Sequence, residues 1–290
     1  MDVRPAVRAG SFYEAAPSVC RRDAEKLIGA ADLPDDLPSP LYGGLVPHAG
    51  WVYSGKVAAM TLKALSAGGL AATFVLFGAD HTGAARFGEV YDRGAWQSPL
   101  GRTAIDEELA AALLAVCNSL RSNPTAHALE HSIEVQVPLL AALREDVRIV
   151  PIAVPATPAA VEIGRAVGDV LAERFPAAAV VGSTDLTHHG GHFGSQGGRG
   201  KVGEQWTRKN DHRMLELIET MDAERIVLEA REHMNACGAG AIAATIAACR
   251  CLGASRGICL EYTNSYEITH AARPDYPDDT TVGYASVVFA

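Results

Sequence analysis

Several residues of this chain stand where side chains of their type can hold a metal ion or move a proton. His48 lies in Pro47-His48-Ala49-Gly50, His81 in Ala79-Asp80-His81-Thr82-Gly83, and His188 and His189 close the segment Ser183-Thr184-Asp185-Leu186-Thr187-His188-His189. Imidazole is the commonest metal ligand and the usual general base near neutral pH. Cys237, in Asn235-Ala236-Cys237-Gly238, directly precedes an alanine-rich helical pattern. A helix N-terminus favours a thiolate, which is both a nucleophile and a soft metal ligand. Asp185 and His188 are three residues apart. If their segment turns into a helix they share a face, and a carboxylate beside an imidazole fixes its tautomer and raises its basicity; the alternative is that Asp185 caps a helix. Asp80 reads either as an orienting partner of an imidazole or as the residue of an Asx-type turn. In Glu130-His131-Ser132-Ile133-Glu134, His131 is a candidate substrate-binding group or proton donor, whereas the acids read as ordinary first-turn residues of a helix. Two histidines with a carboxylate or thiolate and open coordination positions suit iron or copper, and a closed structural zinc site less well.

What would gather residues so far apart is a parallel sheet. Leu41–Trp51, Ala72–Gly83 and Ala178–Gly190 share one plan, a short apolar run that stops at a polar, histidine-bearing tip. Each run has the length and composition of a fully buried strand. Loops at the carboxyl ends of parallel strands converge on one crevice, where ligands bind. Tips carrying His48, His81 and either His188 or His189 would meet there.

The rest of the chain alternates in the same way. Helical patterns run over Ser54–Ala67, Asp106–Leu120, His131–Leu143 (with Pro138 marking a kink or break), Ala159–Phe175, Trp206–Met221 and Ala239–Leu252. VRIVPIAV, Ala178–Val181, Ile258–Glu261 and Thr281–Phe289 read as strands. This alternation predicts a three-layer α/β/α fold with a largely parallel central sheet, as one domain over residues 1–290. The glycine-rich stretch Gly190–Gly203 is not a phosphate loop, because Ser195 and Val202 stand where that pattern needs Gly and Ser or Thr. It reads as a flexible loop, or as a lid over a site.

Bulk properties narrow the partners. A net charge of −9 with 25 basic and 34 acidic residues gives no electrostatic footprint for nucleic acid or an anionic membrane. No apolar run reaches the ~18 residues of a membrane span, and the first residues lack the apolar core of a secretory signal. The six cysteines are scattered, with no CxxC, so a reducing cytoplasm is the expected setting. No GxSxG elbow is present, which argues against an α/β-hydrolase.

RPAVRAGSFYE near the start, PHAGWVYSG, EHSIEVQVPLL, GSTDLTHHG, CGAGAIAATIAA and the closing YTNSYE and VGYASVVF resemble the MEMO family, whose microbial members are also called AmmeMemoRadiSam system protein B. The resemblance covers essentially the whole chain. It implies a fold similar to the class III extradiol (LigB-like) dioxygenases, with a non-haem iron centre, or a copper one, formed by His48, His81 and Cys237. It also implies that Asp185, His188 and His131 line the same pocket as acid–base or substrate-binding groups. The chain departs from the family's usual pattern at the second tip, at Trp51 and at His189, which reshapes the pocket. A thiolate in place of the dioxygenase carboxylate also favours softer metals. The resemblance implies a metal-dependent oxidoreductase acting on a small molecule, with radical SAM and AMMECR-type proteins as partners. It equally admits a non-catalytic metal carrier, or a protein that binds a peptide or small molecule in the same pocket.

Overall fold

Four apolar runs make the centre of the sheet: β1 (Gly43–Val46), β2 (Thr73–Gly78), β3 (Arg148–Ala153) and β4 (Ala178–Ser183). They are parallel in the order β3-β2-β4-β1. Both sheet faces are covered by helices, which is why these strands read as near-continuous apolar runs rather than alternating ones. The computed structural model describes residues 2–67, 72–194, 197–276 and 279–290.

Strand alternation divides the core into two layers. Val75, Phe77, Val150, Ile152 and Val180 pack on one side, against Ala159–Arg174 and Ala239–Leu252. Phe74, Leu76, Ile149, Ala179 and Val181 pack on the other, against Pro17–Gly29, Trp51–Ala67 and Val137–Leu143. The result is the expected α/β/α sandwich. The sheet is mixed at its margins. β5 (Gly257–Asn264) and β6 (Thr281–Phe289) are antiparallel to each other, and β6 is antiparallel to β1. Short strands at Val3–Arg4, Ala95–Ser98 and Gly101–Ile105 extend the other side. No helix among the described residues is long and apolar enough to cross a membrane.

The structure corrects several local expectations. The helix expected over Asp106–Leu120 starts at Glu107, where Asp106 caps it by accepting from the Leu109 N–H at 3.2 Å, and ends at Val116, because Cys117 is extended. Leu120–Ser122 is instead a short strand. The stretch expected to be helical from His131 has a single 3-10 turn at Glu134–Gln136, and the α-helix starts at Val137. Pro138 therefore falls in a first helical turn, where its missing N–H costs nothing, and makes no kink. The helix expected from Trp206 starts at Gly200, and Ala223–His233 forms a helix that the sequence reading left out. Thr184–Thr187 is not helical, so Asp185 is neither a cap nor on a helical face with His188. His188 and His189 instead pair antiparallel with Val282 and Thr281. Gly191–Phe193 is a 3-10 turn, and the lid reading of Gly190–Gly203 falls partly on residues 195 and 196, outside the described ones.

Candidate metal centre

β1, β2 and β4 each end at a polar tip, and the tips lie side by side because the strands are parallel neighbours. Two glycines let further segments close on them. A Cβ at Gly78 would stand 2.7 Å from the Ile133 side chain and 2.8 Å from Ser132 Oγ, so its absence lets the Glu130–Glu134 segment press against β2. A Cβ at Gly238 would stand 2.4 Å from the Ser183 carbonyl, so a glycine here is what allows Cys237 to reach the β4 tip.

The outcome is a cluster in which one ligand atom each from His48, His81 and Cys237 lies within 4.8 Å of the others. Cys237 Sγ is 3.1 Å from His48 Nε2. Both imidazoles are tied back by their other nitrogen. Ser183 Oγ donates to the Ser132 carbonyl at 2.7 Å, so it accepts from His48 Nδ1–H at 2.9 Å. His81 Nδ1–H donates to Glu130 Oε1 at 3.0 Å. With each Nδ1 committed, Nε2 is the nitrogen each ring has left for a ligand, and on His48 it meets Cys237 Sγ; an outer partner fixes a ligating histidine in this way.

Glu130 is the organiser that sequence reasoning missed. Its side chain is 1% exposed, and besides the His81 ring it accepts the backbone N–H groups of His81 (2.7 Å), His131 (2.8 Å) and Ser132 (2.9 Å). Burial disfavours its charge, but the His81 hydrogen bond, the His81 charge and these N–H groups outweigh burial and hold it well below the usual carboxylate range. Burial likewise works against a charge on His81, and the hydrogen bond and charge of Glu130 overcome it, raising His81. Asp80 takes the turn role instead: it accepts from Thr82 Oγ1 and the N–H groups of Ala84 and Ala85.

The remaining candidates fall around this cluster. The His131 ring stacks on His81 with centroids 4.6 Å apart, and burial followed by the His81 charge pushes His131 down to about 4. His48 is held well below its usual value by burial and then by His81 and His131. His188 turns Nδ1–H to the Leu186 carbonyl at 3.1 Å, leaving Nε2 free, and burial lowers it. Of the two adjacent histidines His188 is the one at the cluster. His189 packs on Trp206 and reaches the Gly198 carbonyl through Nε2.

Asp185 does not pair with the His188 imidazole through the hydrogen bonds seen here. Its carboxylate accepts the His48 N–H at 2.7 Å, and burial pushes it up to about 7. The backbone around Asp185 also grips the cysteine: Asp185 N–H points at Cys237 Sγ (3.3 Å) and Cys237 N–H donates to the Asp185 carbonyl (3.2 Å). The helix after Cys237 begins at Ala239. Its dipole does not yield a thiolate here, because burial, and next the Asp185 charge, push the thiol up. A cation at the cluster is what would draw off that proton.

A second layer fixes the tips. Asp211 is fully buried and accepts from Thr187 N–H and Tyr262 O–H, both at 2.7 Å, and burial pushes it up to about 7. Gly283 on β6 donates to the Thr187 carbonyl at 3.1 Å and accepts from Leu186 N–H at 2.9 Å. At the opposite wall, Arg4 is buried, pairs with Glu134 at 2.8 Å, and donates to the carbonyls of His127 (2.7 Å) and Glu130 (2.6 Å). Tyr13 O–H and Arg8 N–H complete the Glu134 shell. The N-terminal segment is thereby strapped beside the site, with Phe12 set edge-on to His131 at 5.0 Å.

Comparison with known proteins covers nearly the whole chain. Residues 4–288 match the family model described as Memo-like protein. The chain is 39% identical to a MEMO1 family protein of Methanopyrus kandleri, over 100% of this chain and 99% of that one. It is 34% identical to one from Methanothermobacter thermautotrophicus, over 92% and 94% of the two chains. A relative from Pyrococcus abyssi is 36% identical over 84% of this chain and 85% of its own. The family-model match spans the three strand tips and nearly all of the surrounding fold. The chain belongs to the Memo-like protein family.

Proposed function

We propose that His48 Nε2, His81 Nε2 and Cys237 Sγ hold one iron or copper ion and that the chain is a metal-dependent oxidoreductase acting on a small organic molecule. The observation that carries this reading is the shared orientation of the two imidazoles. Each has its Nδ1–H committed to a buried acceptor, and one ligand atom from each of His48, His81 and Cys237 lies within 4.8 Å of the others. A mixed nitrogen and thiol donor set fits a first-row metal of intermediate softness. When bound, such an ion supplies Lewis-acid and redox chemistry at that point.

The chain's own residues supply the rest. His188 is neutral in its lowered state, with Nε2 unprotonated, and accepts a proton from a bound molecule. His131, also neutral, offers a hydrogen-bonding edge beside Phe12. Asp185 holds the His48 backbone and so fixes where the ligand imidazole sits. A second reading, a non-catalytic carrier, is favoured by one observation: the His81 side chain is 33% exposed and Cys237 is only half-buried, so an ion there is open to exchange.

Elemental analysis of protein purified without oxygen tests the centre. About one equivalent of iron or copper, lost in Cys237→Ala and in His48→Ala, is expected. No metal in the wild type after reconstitution overturns the reading. His188→Ala separates enzyme from carrier. The enzyme reading expects full metal content with turnover of phenolic substrates, followed by oxygen uptake, abolished; the carrier reading expects no turnover in either protein.

A further inference from the structure

The N-terminal segment brings two arginines to the edge of the site, and the fold uses them differently. Arg4 is 3% exposed and its guanidinium is engaged on every side, by Glu134, two long-range carbonyls, the neighbouring Pro5 carbonyl and the face of Trp96 at 4.2 Å. Arg8 is held just as firmly through its backbone. Its N–H donates to Glu134, and its carbonyl accepts from the N–H groups of Ser11 and Phe12 and from Ser11 Oγ. Its side chain has no such partner. Among the described residues the Arg8 guanidinium makes no hydrogen bond or ion pair, and its Nε is closed off from solvent without an acceptor. The nearby carboxylate of Glu134 is already satisfied by Arg4, Tyr13 and the Arg8 backbone.

The position of this charge is specific. The guanidinium lies over the Phe12 ring, 5.4 Å from its centroid; Phe12 meets His131 at 5.0 Å; and His131 stacks on His81 at 4.6 Å. The Arg8 charge is also among the influences that keep His131 neutral, after burial and His81. A partly dehydrated guanidinium without a counter-charge is costly, and its planar fork matches a carboxylate in bidentate fashion. Phe12 and His131 stand between the two ends with their rings edge-on, so a bound molecule reaching from one end to the other would pass along them.

We propose that Arg8 binds a carboxylate of the small molecule taken up at the cluster, so that the ligand spans from Arg8 across Phe12 and His131 to the ligand atoms of His48, His81 and Cys237. The inference rests on the metal reading for its far end only. Arg8 is thus a specificity-determining residue for anionic over neutral ligands of one shape.

Benzoate and its neutral isostere benzamide test this in NMR titrations of metal-free and zinc-loaded protein, with Arg8→Gln and Arg8→Lys alongside. Wild type is expected to prefer benzoate by about tenfold, Arg8→Gln to reduce the preference to within about twofold, and Arg8→Lys, which keeps the charge but not the fork, to fall between them. The Arg8 side-chain N–H resonances of the wild type need no variant: they should move with benzoate and stay still with benzamide. A preference that survives Arg8→Gln, absence of a preference in both wild-type forms, or unmoved Arg8 resonances overturns the proposal and leaves Arg8 as a packing partner of Phe12. The two readings fail separately. Protein that binds zinc with no Arg8-dependent preference refutes the carboxylate site alone. Protein that binds no metal yet shows the preference refutes the metal centre alone.

Discussion

Replacing Glu130 by Gln keeps the shape of the side chain and removes its charge. In the wild type one carboxylate accepts four N–H groups, three of them on Oε1 and the His81 N–H on Oε2. A glutamine oxygen placed like Oε1 keeps three acceptor contacts, each weakened from charge-assisted to neutral by about 1 kcal/mol. Its NH₂ group then faces the His81 N–H, donor against donor, and that buried group is left unsatisfied at about 1–3 kcal/mol. Because neighbouring contributions are not additive, the expected loss of stability is about 3–4 kcal/mol, or roughly 5–7 °C in melting temperature for a chain of this size. The His81 ring loses its anchor at the same time, so metal affinity should drop about 10- to 100-fold.

The pH dependence carries a sign that can be checked. Glu130 is depressed from its ordinary 4.5, so its stabilisation is present above that value and fades as pH falls through its folded-state pKa. His81 is raised from its ordinary 6.5, so its share is complete below 6.5 and fades as pH rises through its folded-state pKa. The gap between wild type and variant should therefore be widest between 4.5 and 6.5. Denaturant unfolding across pH 3–9, with competitive metal titration at one pH, measures both effects. A variant within about 0.5 kcal/mol of wild type at every pH, with unchanged metal affinity, would refute the role given to Glu130.

Three further substitutions probe other layers. Ser183→Ala removes the acceptor of His48 Nδ1–H and the donor to the Ser132 carbonyl; it should cost about 1–2 kcal/mol and weaken metal binding about tenfold, and a variant with wild-type metal competition would show that the tautomer is set elsewhere. Arg4→Met strands the buried Glu134 charge and should cost about 3–5 kcal/mol in urea unfolding, whereas a neutral result would mean that the N-terminal strap is held by packing alone. Asp211 is raised from 3.8 to about 7, so the folded state holds a proton that the unfolded state releases, and wild-type stability should decline as pH rises from 3.8 towards 7. Asp211→Asn should flatten that decline in part, since Asp185 is raised in the same direction; an identical slope in the two proteins counts against a protonated Asp211.

The sheet and its tips were legible because fully buried strands announce themselves as apolar runs, and each run here stops at a turn residue beside a histidine. The companions of those histidines were harder to read. Glu130 looks in sequence like any acid opening a helix, and the residues after it form only an irregular turn. Its role depends on Gly78 admitting that turn against β2, a tertiary contact with no local signature. Asp185 was paired with His188 on the assumption of helical spacing, but β6 captures Leu186 and Thr187 and keeps the segment extended, which turns the carboxylate to His48. The thiolate expected from the helix after Cys237 failed for a related reason. A dipole effect of about 1 kcal/mol is smaller than the cost of burying an uncompensated anion beside Asp185. Arg8 and Phe12 stand in the N-terminal segment that carries the family resemblance but were given no role, since nothing in a short segment says that it will be strapped to Glu134.

The clasp of Gly283 on Leu186 and Thr187 has a consequence for the order of events during synthesis. The segment bearing Asp185 and His188 leaves the ribosome almost a hundred residues before the glycine that holds it, and Cys237 also emerges before that glycine. Until β6 inserts beside β1, Leu186 and Thr187 lack the backbone partner that keeps the segment extended. If the cluster holds a metal as proposed, its capture should therefore be a late event that follows completion of the sheet. A fragment truncated before residue 281 should retain helical signal yet bind metal no better than Cys237→Ala does.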